Sequence, residues 1–202
     1  MAKPELIVPF PEALRTAPVT TAIRSTTVIM SRRGIQERGY FEDYKRNISA
    51  ESEAALEHAV AGVWLPIELA LAHYDACDAL GLSSREQFEI GKEVGLKIQG
   101  TFLGTMVKLA KAAGVTPWLC LGQYQRLYDR LFVGGGVIVT KVGPKEARVE
   151  GLQLPLSRIP YFRTAFRGLN EASCELFCRK AYVEEIRKLC TPISIGFRVS
   201  WA

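Results

Sequence analysis

His73 and Cys77 stand four residues apart, a spacing that puts an imidazole and a thiol on one face of a helix. Such a pair can ligate zinc or haem iron, or set a base beside a sulfur nucleophile. A metal centre needs three or four ligands, and here only Asp78 stands near the pair, with the other histidine, His58, on a separate segment. The plainer expectation is a histidine satisfied within a core, with no metal and no cofactor. Cys174 and Cys178 share a face whether their segment is helix or strand, and buried thiols behave as small hydrophobes. The five cysteines (Cys77, Cys120, Cys174, Cys178 and Cys190) have no paired spacing and are odd in number, so they read as free thiols.

Other chemistry is disfavoured residue by residue. Gly134, Gly135 and Gly136 lack a following Lys-Ser/Thr and lead into a strand-like run, the wrong order for a phosphate cradle. Arg32, Arg33, Arg38, Lys45 and Arg46 interleave with Tyr40, Phe41 and Tyr44, a mixture that can bind nucleic acid. Glu37, Glu42 and Asp43 sit among them, so a solvated face is expected and no nucleic-acid partner. The chain carries no G-x-S-x-G, no H-E-x-x-H, no Gly-rich dinucleotide turn and no EF-hand loop. With two histidines and no activated nucleophile, a catalyst is not expected, and a cysteine-dependent enzyme ranks third among the readings.

The chain has 202 residues, 48% of them hydrophobic and 23% charged, with a net charge of +5. That is an ordinary globular mixture with room for a full core, and no run is apolar enough to span a bilayer. Pro4, Pro9, Pro11 and Pro18 interrupt the start, so residues 1–23 read as an extended arm and not as an export signal. Free thiols and no signal suggest the cytoplasm.

A single α+β domain is expected over residues 24–202, with N-terminal helices packed on one face of a C-terminal antiparallel sheet. The β-rich run RSTTVIM (24–30) reads as a strand, and Gly34 and Gly39 as turns. Ser49 starts a helix carrying Leu56, Val60 and Val63, and a second helix runs from Pro66 to Leu80, capped by Gly81. Ser83 and Glu86 form a capping box that opens the longest helix, to about Ala113. A shorter helix follows over 121–131, then a hairpin of 137–142 with 147–154 about the turn Gly143-Pro144-Lys145. Pro160 opens another amphipathic stretch, with the state of 174–178 left open, and residues 182–189 look helical. Ile193, Ile195, Phe197, Val199 and Trp201 alternate with small or polar residues, the clearest strand in the chain.

The longest helix has two stripes. Phe88, Gly91, Gly95, Ile98, Phe102, Met106 and Leu109 form a core face. Glu93, Lys97, Gly100, Gly104, Lys108 and Lys111 fall within about 80° of one another on the other side. Two glycines on a solvated face would cost about 2 kcal/mol of helix propensity. A close-packed partner explains them, either the Pro-rich N-terminal arm of the same chain or the equivalent helix of a second copy. The second copy is favoured, which makes Glu93, Lys97, Gly100, Gly104 and Lys108 the expected homodimer interface.

The run GVWLPIELALAHYDACDALGLS (62–83) resembles a family of uncharacterised small proteins and domains of myxobacteria and other proteobacteria. GTFLGTMVK (100–108), VIVTKVGPKEARVEG (137–151) and PYFRTAFRG (160–168) follow in the order of that family, so the resemblance covers residues 40–202. The family is similar to the 4-vinyl-reductase-type ligand-binding domain, whose larger group shares its fold with haem-based nitric-oxide sensors and with small subunits of a Golgi transport-tethering complex. The resemblance implies a non-catalytic ligand-binding or protein-interaction domain, sensory or regulatory, often dimeric, with an apolar molecule between helices and sheet. Trp64, His73, Phe102, Met106 and Trp118 are the candidate pocket residues. The alternative is a haem or metal sensor using His73. The sensors' Tyr-x-Ser-x-Arg motif for the propionates is missing here, as is a matching C-terminal cysteine cluster.

Overall fold

The strand alternation and the capping box both take the form that the residue pattern predicts. The computed structural model describes residues 4–11, 19–102 and 116–202, with side chains for all of these except 98–102. In β8 (Ser194–Trp201), Ile195, Phe197, Val199 and Trp201 are buried while Arg198 is exposed. β8 pairs antiparallel with β6 (Glu146–Leu152) and β7 (Ala181–Glu185), and β6 forms the expected hairpin with β5 (Gly136–Gly143). The sheet order is β1-β5-β6-β8-β7. Its edge strand β1 (Glu5–Val8) comes from the arm, with Leu6 opposite Thr140, so the arm is partly built into the domain.

Ser83 Oγ accepts from the Glu86 amide, and Glu86 Oε2 accepts from the Ser83 amide at 3.0 Å. This reciprocal cap opens α5 (Ser84–Phe102), whose continuation toward Ala113 lies outside the described residues. The stripe of Gly91 and Gly95 faces the core, as read. A Cβ on Gly91 would lie 1.8 Å from Ala165 O, and one on Gly168 would lie 2.1 Å from Phe88 O. Only glycine at both positions lets α5 cross α8 (Pro160–Glu175) with backbones in contact. On the opposite side of α8, Phe166 stands 6.2 Å from Phe197 of the sheet. The result is α+β, helices layered on one face of an antiparallel sheet.

Several readings need correction. Residues 24–30 are not a strand: after the short β2 (Ala22–Arg24) they enter α1 (Ser25–Glu37). Burial overrides the β-propensity of Thr27 and Val28, because Val28 and Ile35 are fully buried on one helical face. Gly34 lies inside this helix with its Cα side against Ile90, whereas Gly39 ends it at φ +79°. Residues 181–185 form β7 instead of a helix, since Ala181 and Val183 point inward while Tyr182 and Glu184 point out. The helix α3 (Ala50–Glu57) stops short of Val60 and Val63, which are exposed.

Between these, α2 (Phe41–Asn47) and α4 (Ile67–Asp78) complete the N-terminal layer. The helix expected over 121–131 is two pieces, α6 (Pro117–Leu121) and α7 (Tyr124–Leu131). Cys174 lies in α8 and Cys178 just beyond it. A second sheet of β3 (Trp64–Pro66), β2 and β4 (Phe132–Val133) clamps the start of α1 between the start of α4 and the end of α7. Among the described residues, no helix is long and apolar enough to cross a membrane.

Candidate ligand-binding cavity

The clamp formed by the small sheet leaves space beside the first turn of α1. A cavity of about 320 Å³ lies between that turn, Gly95 of α5, α7, α8 and the inner face of the large sheet. Leu127, Leu131, Val137, Phe166, Ile195 and Phe197 give it apolar walls. This size is at the lower end for small-molecule pockets, and the mixture of apolar walls with few polar groups is typical of them. Arg24 and Arg130 border it, with Arg130 exposed, so this is its solvent side.

Its polar groups are mostly tied down. Tyr128 Oη lies 3.1 Å from Thr20 Oγ1, which donates to Gln153 O at 2.8 Å. This is possible because Gly135, at φ +68°, has no Cβ: one would come within 2.6 Å of both hydroxyls. Tyr124 Oη lies 3.7 Å from Cys174 Sγ. Burial pushes both tyrosine hydroxyls well above their usual range, so they stay protonated. Thr27 differs. It is 4% exposed, it lines the cavity, and its hydroxyl has no hydrogen-bond partner.

His73 lies elsewhere. It is fully buried on α4, with Nδ1 3.0 Å from Tyr44 Oη and Nε2 3.0 Å from Ser31 Oγ. Tyr74 packs edge-on at 4.7 Å. Burial, with the nearby Arg32 charge, holds its pKa down at about 3, so the ring is neutral. Cys77 Sγ is 3.7 Å from Nε2, which places the expected pair together, but burial pushes the thiol far above its ordinary range. A thiol held protonated in a sealed core is no nucleophile. Burial also raises Cys120, Cys174, Cys178 and Cys190.

None of Trp64, His73 and Trp118 lines the cavity. Trp64 is partly exposed and lies beneath the Arg24 guanidinium, 3.7 Å from ring to Cζ. Trp118 stacks edge-on against Trp201 at 4.9 Å and donates from Nε1 to Pro144 O at 2.9 Å. The side chain of Phe102 and all of Met106 lie outside the described residues. On the polar stripe, Glu93 pairs with Arg38 at 2.6 Å and Lys97 with Glu37 at 3.4 Å, so both charges are engaged by the α1 end of the same chain. Gly104 and Lys108 lie outside the described residues, as do the surroundings of Gly100. Among the described residues, no group of three or more His, Cys, Asp and Glu could hold a metal ion.

The cavity residues escaped sequence reasoning because eight elements contribute them: β2, α1, α5, α7, β5, β6, α8 and β8. The one local feature that marks the cavity shows only once the helix is known: α1 starts at Ser25 after Arg24 as its N-cap, with no side-chain cap and no acidic residue in its first turn.

No protein-family model matches the chain, and no curated protein matches it. Solved structures do. A point mutant of an H-NOX protein from K. algicida, in its ferrous unliganded form, superposes with a TM-score of 0.63 at 11% identity, covering 89% of this chain and 97% of that one. An oxygen-binding H-NOX domain related to soluble guanylate cyclases, as its oxygen complex, gives 0.57 at 13% identity, covering 89% and 95%. A structure from work on haem distortion in the H-NOX family gives 0.57 at 14%, covering 89% and 95%. At these identities the likeness is one of fold: the chain has the α+β architecture of H-NOX domains.

Proposed function

We propose that this chain is a non-catalytic ligand-binding domain of the sensory or regulatory kind, holding an apolar small molecule between its helices and its sheet. The observation that carries the reading is the cavity of about 320 Å³, walled by apolar side chains from both layers. The fold shared with H-NOX domains and the resemblance to 4-vinyl-reductase-type ligand-binding domains support it. The protonated, buried thiols and the neutral His73 support a role without catalysis.

The H-NOX neighbours raise haem as the occupant, and the described residues do not fit it. Haem iron needs an axial donor inside the pocket. The described walls include no histidine, methionine or cysteine, and Tyr124 and Tyr128 are held protonated. Both ring nitrogens of His73 already meet hydroxyls in a sealed core.

Purification without denaturation, followed by native mass spectrometry and titration with the neutral dye Nile red, tests the reading. The expected result is one site per chain, occupied by a small molecule or by dye, and blocked in Leu127→Trp. Folded protein that carries nothing and takes up no dye would overturn it. A Soret band in the visible spectrum would replace it with haem binding.

A further inference from the structure

The cavity has an electrostatic end as well as an apolar body. α1 is 13 residues long, and its N-terminus opens on the cavity through Thr26 and Thr27. The N-terminal end of a helix carries about half a positive charge, normally offset by a capping side chain or an early carboxylate. Here the N-cap is Arg24, which adds a full positive charge where an acceptor is the usual choice.

Arg24 is also held in place. Its Nη1 donates to Gly62 O at 2.9 Å, its Nε to Arg130 O at 3.3 Å, and its plane stacks on Trp64. Its bonding partners are therefore carbonyls and a ring, and among the described residues no carboxylate pairs with it. The described lining contains no Asp or Glu, and the acidic residues next to it in sequence are engaged elsewhere: Asp129 accepts from Gln125 at 2.7 Å, Glu150 pairs with Arg148 at 2.9 Å and Glu171 with Lys92 at 2.8 Å. Beside this charge the Thr27 hydroxyl is buried with no partner. Such a group is costly to leave unmet, and a ligand acceptor would satisfy it.

We propose that the cavity takes a medium-chain carboxylate, its hydrocarbon tail among Leu127, Leu131, Phe166 and Ile195 and its carboxylate at the N-terminus of α1, beside Arg24 and Thr27. The inference rests on the apolar-ligand reading above and names the headgroup. Volume sets the tail: at roughly 30 Å³ for each water-sized group, a cavity of about 320 Å³ holds about ten methylene-sized groups. Arg24 has two roles here. It neutralises the carboxylate, and its carbonyl and Trp64 contacts keep the guanidinium at the solvent side, where the headgroup keeps part of its hydration.

Decanoate, decanol and decylamine share one tail and differ in head charge, so calorimetric titration of the three separates tail from head. Decanoate is expected to bind at least tenfold more tightly than decanol, with decylamine weakest. Arg24→Gln should remove that preference while leaving decanol binding unchanged, and Arg24→Lys should restore part of it. Thr27→Val, which keeps the shape, should weaken decanoate several-fold and serves if Arg24→Gln fails to fold. Decanol binding as tightly as decanoate would overturn the carboxylate site and leave the apolar cavity standing. Folded protein that binds none of the three would overturn both.

Discussion

Thr27 and Ser31 stand one turn apart on α1, both buried, and their hydroxyls have opposite surroundings. Ser31 meets His73 Nε2 in a sealed cluster with Tyr44, Tyr74 and Cys77. Thr27 meets nothing, beside a cavity with apolar walls. The cluster contains the residue types that suggest chemistry, but both nitrogens of His73 are taken up by neighbouring hydroxyls in a closed core. The cavity is built from threonine, glycine, leucine and phenylalanine, and it has both space and an unmet polar group. Reactive residue types therefore point away from the site here, and an unmet hydroxyl beside open space points toward it.

The crossing of α5 and α8 separates the two regions. A void of only about 20 Å³ sits at that crossing, lined by Gly91 and Ala165 together with Thr27, Ser31, Tyr74 and Leu169. The largest predicted effect comes from forcing it apart. Gly91→Ala and Gly168→Ala each drive a Cβ into backbone, which cannot rotate away, so each should cost about 3 kcal/mol or more. Urea denaturation would measure it. A loss under about 1 kcal/mol in both variants, the range of a tolerated core swap, would mean that the helices do not touch as described.

How much of this was legible follows from the same contrast. β8, the hairpin, the capping box and the Gly91–Gly95 part of the α5 core stripe are local patterns whose period or turn chemistry survives in the fold. The start of α1 was not legible, because Thr26, Thr27 and Val28 favour strand until α5 buries one side of them. β7 was missed because five residues offer only two inward positions, Ala181 and Val183, too few to establish a period. The pairing of His73 with Cys77 was legible, but its sealing was not: Tyr44 and Ser31 come from other helices. No spacing rule gathers Arg24, Gly95, Leu131, Asn170 and Phe197 around one space.

The sealed cluster has a pH signature that the cavity lacks. His73 is lowered from 6.5 to about 3, so the folded protein takes up this proton less readily than the unfolded chain. Its contribution is complete above about pH 6.5 and declines as pH falls toward 3, at about 1.4 kcal/mol per unit. Between about pH 7 and pH 5 stability should drop by about 2 kcal/mol. His73→Gln should flatten that slope, read from urea midpoints at the two values. If the variant and the parent fall in parallel, His73 is not the buried neutral group described.

The smallest effect is the most direct test of the contrast, because it compares two neighbouring hydroxyls on one helix. Ser31→Ala leaves a ring nitrogen of His73 without its partner at full burial, which should cost about 1–3 kcal/mol. Thr27→Val removes a hydroxyl that has nothing to lose and substitutes a methyl of nearly the same shape. In ligand-free protein it should be neutral or stabilising by up to about 1 kcal/mol, because the unmet polar group is gone. Adding decanoate should reverse the order, raising the melting temperature of the parent more than that of Thr27→Val, since only the parent can bond the headgroup. Melting curves of parent and variant, each with and without decanoate, measure both effects. If Thr27→Val destabilises the free protein as much as Ser31→Ala does, the Thr27 hydroxyl has a partner within the fold and the contrast fails.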